Sequence, residues 1–133
     1  MKKLLLSSFG FKFGVPQDAN YVFDVRFIPN PFYVNELKLL SGMDDPVQKY
    51  IRSFEETGLF LASSILFLDF VIPLYLEAYK KALHVAIGCT GGRHRSVAFV
   101  EWFFEHYGDA SIDIGIDFEV ELRHRDVDKT LMP

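Results

Sequence analysis

The chain has 133 residues, half of them hydrophobic and 14 of them Phe, with a formal net charge of −4 and a pI near 5.5. That composition excludes a disordered chain and a protein that coats nucleic acid non-specifically, and it suits one domain with a sizeable core over residues 1–133. A single cysteine rules out an intramolecular disulfide and fits a reducing compartment, so a cytoplasmic location is expected.

Two segments raise a membrane question. Met1-Lys2-Lys3-Leu4-Leu5-Leu6 starts like a signal peptide, but its apolar run falls short of the ~7–15 residues such a signal needs. Leu59 to Leu76 is long and apolar. Asp69 near its centre would cost about 2.5–3.5 kcal/mol in a bilayer, and Ser63, Ser64 and Pro73 interrupt it. A core helix is expected there and no membrane.

In chain order, Lys3 to Ser8 reads as a strand that ends in Ser-Ser-Phe-Gly, and Phe9 to Pro16 as a loop punctuated by Gly and Pro. The aromatics around Lys12 either rim a ligand or fold back onto the core. Tyr21 to Phe27 reads as a second strand with Tyr21, Phe23, Val25 and Phe27 on one face and Asp24 and Arg26 on the other. That acid and base either pair with each other or hold a polar ligand. The prolines of Ile28-Pro29-Asn30-Pro31-Phe32 end the strand.

Asp45-Pro46-Val47-Gln48 has the form of a helix start, with Asp45 as cap, and Thr57-Gly58 that of its end. The next helix is expected from Leu59 to about Lys81, kinked or divided at Pro73, with Lys80 and Lys81 at its C-terminal end. Leu83 to Ile87 is a strand, and Val97 to Tyr107 a helix that Gly108 stops. Ile112 to Leu122 alternates with the period of one strand, or of two divided near Gly115, and runs into Arg123-His124-Arg125-Asp126. The order strand, strand, helices, strand, helix, strand predicts an α/β fold with a mainly parallel or mixed sheet.

The segment between the third strand and its helix, Gly88-Cys89-Thr90-Gly91-Gly92-Arg93-His94-Arg95-Ser96, organises the rest. A strand, a glycine turn and a helix start aim backbone N–H groups at an anion. Cations in a first helical turn oppose the macrodipole at roughly 0.3–1 kcal/mol each, unless a bound anion reverses that sign. Thr90, Gly91, Gly92, Arg93, His94, Arg95 and Ser96 are therefore the candidate phosphate-binding residues. The alternative is a helix that begins only at Ser96, with the cations in a solvated loop. In a parallel sheet ligands sit beyond the carboxyl ends of the strands. Lys12, Asp24, Arg26, Asn30, Arg123, His124 and Arg125 all follow strands and form the candidate rim.

Other chemistries are weaker. Cys89, His94 and His124 lack zinc-ligand spacing, so no metal is expected. The Walker A pattern and a serine nucleophile elbow are both missing from these residues. Cys89 to Ser96 does satisfy C-x5-R-S, the spacing of a protein tyrosine phosphatase loop. Cys89 would be the nucleophile, Arg95 the phosphate clamp, and Asp24 or Asp126 the general acid. The histidine that usually precedes that cysteine is Gly88 here.

The segments SSFGFKFGVPQDANYVFDVRFIPNP (Ser7 to Pro31), GMDDPV (Gly42 to Val47), AIGCTGGRHRSVA (Ala86 to Ala98) and RHRD (Arg123 to Asp126) resemble the C-terminal domain of the RapZ family of bacterial RNase adapter proteins. The resemblance implies an α/β fold likened to part of phosphofructokinase. It also implies binding of glucosamine 6-phosphate and of small regulatory RNA. In that family the domain follows an N-terminal P-loop domain, which these residues do not contain, so a separate P-loop protein is an expected partner. Thr90, Gly91, Gly92 and Arg95 would contact phosphate, and Asp24, Arg26 and Asn30 the sugar.

Two departures bear on this. The family pattern after Asn-Pro is His and an aromatic, whereas Phe32-Tyr33 stands here. The family's RNA-binding members end in a basic tail, and this sequence ends nearly neutral. The expectation is a non-catalytic binding or sensing module for a phosphorylated small molecule such as a sugar phosphate, without a cofactor. A cysteine phosphatase and an RNA-binding adapter are the alternatives.

Overall fold

Two strands are apolar on both faces, and they occupy the middle of the sheet, as burial on both sides demands. These are β1 (Lys3–Gly10) and β3 (Ala82–Cys89), buried along nearly their whole length. The edge strands β2 (Tyr21–Asp24) and β4 (Glu119–His124) are short and half-exposed. The computed structural model, which describes residues 2–79, 81–109 and 111–129, orders the sheet β2-β3-β1-β4 with every pair parallel. All four carboxyl ends consequently lie along one edge.

Leu4, Leu6, Leu83, Val85 and Ile87 share one face of the sheet. They form a single cluster with α1 (Asp45–Arg52), α2 (Glu55–Tyr79) and α3 (Arg95–Tyr107). Phe99, Phe103, Leu68, Ile72 and Ile51 are its fully buried centre. The segment after β1 covers the opposite face. There Ser7 Oγ lies 2.6 Å from His84 Nε2, and Asn20 brackets His84 by donating to its carbonyl and accepting from its N–H.

Several boundaries differ from those expected, each for a local reason. Strand β2 stops at Asp24 rather than Phe27 because Asp24 Oδ1 accepts the Arg26 N–H at 3.0 Å, an Asx turn that draws the chain out of the ladder. The cap of α1 is Asp44, one residue before the expected Asp45, and the Gln48 side chain donates through Nε2 to the Gly42 carbonyl rather than accepting the cap's N–H. Thr57-Gly58 does not end α1. That helix stops at Arg52, and Thr57 sits in the first turn of α2 with its hydroxyl donating to the Ile51 carbonyl at 2.6 Å.

Pro73 lies within α2, which continues to Tyr79. Lys81 follows it, and Lys80 lies outside the described residues. Of the alternating segment Ile112 to Leu122, only Glu119–His124 pairs as strand. Gly115 at φ +90° and the Asp113 carboxylate, which accepts its N–H, make a turn before it.

Phe9 is fully buried, whereas Phe13 is exposed with the ammonium groups of Lys12 and Lys129 over its ring. The expectation of a core helix holds for one side of α2: Ser64, Leu68, Ile72 and Leu76 are buried, and Leu59, Leu66, Phe70 and Leu74 face outward. This helix is long and apolar enough to cross a membrane by length and composition.

Candidate functional site

Strand β3 ends at Cys89, the chain turns through Thr90 to His94, and α3 starts at Arg95. The turn is held against the end of β1. Gly92 adopts φ +77°, and a Cβ there would stand 2.5 Å from the Gly10 nitrogen, so no other residue fits without moving β1. Asp126, fully buried, sits beneath this contact and accepts the Gly10 N–H at 2.8 Å. Burial alone would raise its carboxyl pKa. Hydrogen bonds from Arg125, the Gly10 amide and Lys129 outweigh that and hold it below the usual value.

A second close approach fixes the other side of the turn. Gly42 packs where a Cβ would meet the His94 carbonyl at 2.3 Å, and its N–H donates to the Arg93 carbonyl. The GMDDPV segment therefore docks on the start of α3.

These contacts leave a cavity of about 180 Å³ lined by Lys12, Asn30, Phe32, Tyr33, Cys89, Thr90, Gly91, Arg93, His94 and Arg95. It is smaller than the ~300–1,000 Å³ of drug-sized sites, so its size suits a small metabolite. Lys12 is brought in by its own N–H, which donates to the Thr90 carbonyl. Asn30 is fixed by its side-chain oxygen, which accepts the Phe32 N–H.

The cations differ in how far they are already engaged. Arg93 donates to the carbonyls of Leu39, Leu40 and Val127, which pins two distant segments to the turn. His94 donates through Nε2–H to the Leu37 carbonyl at 3.1 Å, and burial holds its pKa below the ordinary value, so it is neutral at pH 7. Arg95 is only 4% exposed; it donates to the carbonyls of Arg26 (3.1 Å) and Ile28 (2.7 Å) and to Thr90 Oγ1 (3.3 Å). Its Nε–H is buried without a partner. An unpartnered buried donor costs about 1–3 kcal/mol, more when it belongs to a charged group. Such a donor in a cavity wall suits an acceptor supplied by a ligand.

The remaining expected residues lie outside this cavity. Gly92 is buried against Gly10, and Ser96 is buried with Oγ 3.1 Å from Cys89 Sγ. Asp24 and Arg26 pair with each other, with Arg26 Nη2 2.7 Å from Asp24 Oδ2, and the guanidinium stacks on Phe11. Arg123 approaches Glu121. His124 joins Ser8 Oγ (2.6 Å) to Glu101 Oε2 (2.9 Å), and Arg125 binds Asp126 and the Gly14 carbonyl. The β4 end thus braces the sheet, while the ends of β1, β2 and β3 reach the cavity. Among the described residues no group of three or more His, Cys, Asp or Glu is placed to hold a metal ion.

Phe32 and Tyr33, which in the sequence stand out only as a departure from the family motif, both line the cavity. Their place just after the Asn-Pro turn was the available signal.

The family model of the RapZ C-terminal domain matches residues 2–128. A protein of Clostridium perfringens named a nucleotide-binding protein is 47% identical over 124 residues, which are 93% of this chain and 40% of that protein. A nucleotide-binding protein of Clostridium acetobutylicum is 46% identical over 124 residues, 93% of this chain and 40% of its own length. One of Geobacillus kaustophilus is 44% identical over 122 residues, 92% of this chain and 39% of its own length. The chain therefore spans about two-fifths of the curated relatives it matches. Matched nearly from end to end, with the glycine turn at the heart of its site, the chain belongs to the RapZ C-terminal domain family.

Proposed function

We propose that the cavity between Lys12, Asn30 and the Thr90–Arg95 turn binds a phosphorylated small molecule, with a sugar phosphate such as glucosamine 6-phosphate the leading candidate. The observation that carries this reading is the buried, unpartnered Nε–H of Arg95 in the cavity wall. A phosphate oxygen would satisfy it. Lys12 and the Thr90-Gly91 turn supply further donors, and the α3 N-terminus favours the negative charge. Phe32, in place of the family's histidine, gives the opposite wall an apolar surface.

The module is non-catalytic in this reading and works in the cytoplasm. Asp24, one of the two carboxylates a phosphatase could use as proton donor, is held below the usual carboxylate range by its hydrogen bond to Arg26. It is ionised at neutral pH and has no proton to give. RNA and a separate P-loop protein are partners proposed by family membership alone.

Thermal unfolding with a panel of hexose phosphates tests the site. A ligand at a hundred times its Kd stabilises by about 2.7 kcal/mol. Glucosamine 6-phosphate or a related hexose phosphate should raise Tm, Arg95→Ala should remove the rise, and Cys89→Ser should keep most of it. A flat response across the panel would sink the proposal. Hydrolysis of an aryl phosphate that Cys89→Ser abolishes would replace it with the phosphatase, and salt-sensitive RNA association would favour the adapter.

A further inference from the structure

The sheet face turned away from the helices carries a second cavity, of about 330 Å³. Ser7, His84 and Arg123 line it from the strands, and Val15, Pro16 and Asp18 from the segment that follows β1. It shares no lining residue with the cavity at the glycine turn. Its size falls within the ~300–1,000 Å³ of small-molecule sites.

His84 is the buried group in its wall, 6% exposed. One ring nitrogen is engaged, since Nε2 lies 2.6 Å from Ser7 Oγ. The other, Nδ1, is buried without a hydrogen-bond partner. Asp18 Oδ1 is 3.5 Å from it, beyond the length of a hydrogen bond. A buried polar atom left unmet is costly, and one in a cavity wall points to a ligand.

Two charges flank the Ser7–His84 pair. Asp18 stands on the Nδ1 side. Arg123 stands on the Ser7 side, because it is Ser7's register partner on β4. They do not pair with each other: among the described residues the ionic neighbour of Asp18 is His84, and that of Arg123 is Glu121 at 3.7 Å. Arg125, the other cation on the rim, is already taken by Asp126 and the Gly14 carbonyl. A simple anion here meets Asp18 and Glu121, and a simple cation meets Arg123. A molecule carrying both charges suits both ends.

We propose that this cavity binds a small zwitterion of the amino-acid class, with its ammonium at Asp18 and His84 and its carboxylate at Arg123. Two acceptors 3.5 Å apart that make no bond to each other can both accept from one ammonium beside them. Nδ1 and Asp18 Oδ1 become such a pair when the ring carries its hydrogen on Nε2 and donates it to Ser7 Oγ. Binding therefore selects that tautomer. The planar guanidinium of Arg123 matches a carboxylate, which displaces its long contact with Glu121. Val15 and Pro16 give the carbon chain between the two charges an apolar wall.

The His84 ring itself reports the outcome, through the histidine ring-nitrogen NMR signals, with those of His84 identified by their loss in His84→Gln. The protein is titrated with leucine and with γ-aminobutyrate, which hold the two charges at different spacings. Acetate and methylammonium supply each charge alone. At least one zwitterion should move the Nδ1 signal saturably, while acetate and methylammonium at the same concentration leave it in place. Asp18→Asn and Arg123→Ala should each weaken binding about tenfold or more, the loss of one charge-assisted contact. Both side chains are exposed, so melting curves should show each variant folded. No shift with either zwitterion overturns the proposal, as does an equal response to acetate or methylammonium. A saturable shift that survives both substitutions also overturns it, because the molecule then sits elsewhere.

Discussion

Asp126 accepts the Gly10 N–H across 116 residues of sequence, and through that bond the end of β4 fixes the end of β1 beneath the glycine turn. Asp126→Ala removes the acceptor for Gly10, Arg125 and Lys129 together. A charge-assisted hydrogen bond is worth about 1.5–3 kcal/mol. A loss of at least that size in urea unfolding at pH 7 is expected, with Asp126→Asn losing less. The folded carboxyl titrates below its unfolded value. Its contribution is therefore present above the unfolded pKa and fades as pH falls through the folded one. The acid limb of the stability curve should flatten in Asp126→Asn.

Gly92→Ala and Gly58→Ala should move stability in opposite directions. At Gly92 the left-handed backbone costs about 1–2 kcal/mol for any L side chain, and the contact with Gly10 adds to it. At Gly58, inside α2, a methyl group meets nothing. Alanine there should gain about 0.5–1 kcal/mol, a rise of a few degrees in Tm.

His84 and His94 are both buried as neutral rings, and burial is the main reason their pKa values lie below the ordinary one. A depressed base stabilises the fold above its unfolded pKa and loses that contribution as pH falls through the folded value. The protein should lose stability as pH drops below about 6.5. His94→Gln keeps an N–H for the Leu37 carbonyl and should lessen that loss, which melting curves across mildly acid pH would read out.

Tyr107→Phe should destabilise by about 1–2 kcal/mol, because it leaves the part-buried Asp69 carboxylate without its donor. Burial and the Asp69 bond both push the phenol pKa up. With a raised folded pKa, the tyrosine's contribution holds below its unfolded pKa and disappears as pH rises through the folded value. Wild type should therefore lose stability in strong alkali faster than Tyr107→Phe.

Local patterns carried much of this architecture. The strand, the glycine turn and the helix around Cys89 were legible because periodicity and glycine placement act over a few residues. The fates of Arg93 and Arg95 were not legible. Their partners are main-chain carbonyls of Leu39, Leu40, Val127, Arg26 and Ile28, and a carbonyl looks the same in every residue. His124 likewise read as rim chemistry until Ser8 and Glu101 were seen on either side of it. The outward face of α2 was hidden for another reason: apolar residues surround the whole helix, so no polar stripe marks the side away from the sheet.

The place of β1 in the middle of the sheet sets an order of events during synthesis. Its neighbours are β3 and β4, so Ser7 waits for His84, 77 residues later, and Ser8 for His124, 116 residues later. Until those strands emerge from the ribosome, the greasy Leu4-Leu5-Leu6 run has no edge to join. Such distant pairing slows closure and leaves nascent chains prone to clumping. Yield in cells should accordingly depend on chaperone supply more than the folded domain's own robustness suggests.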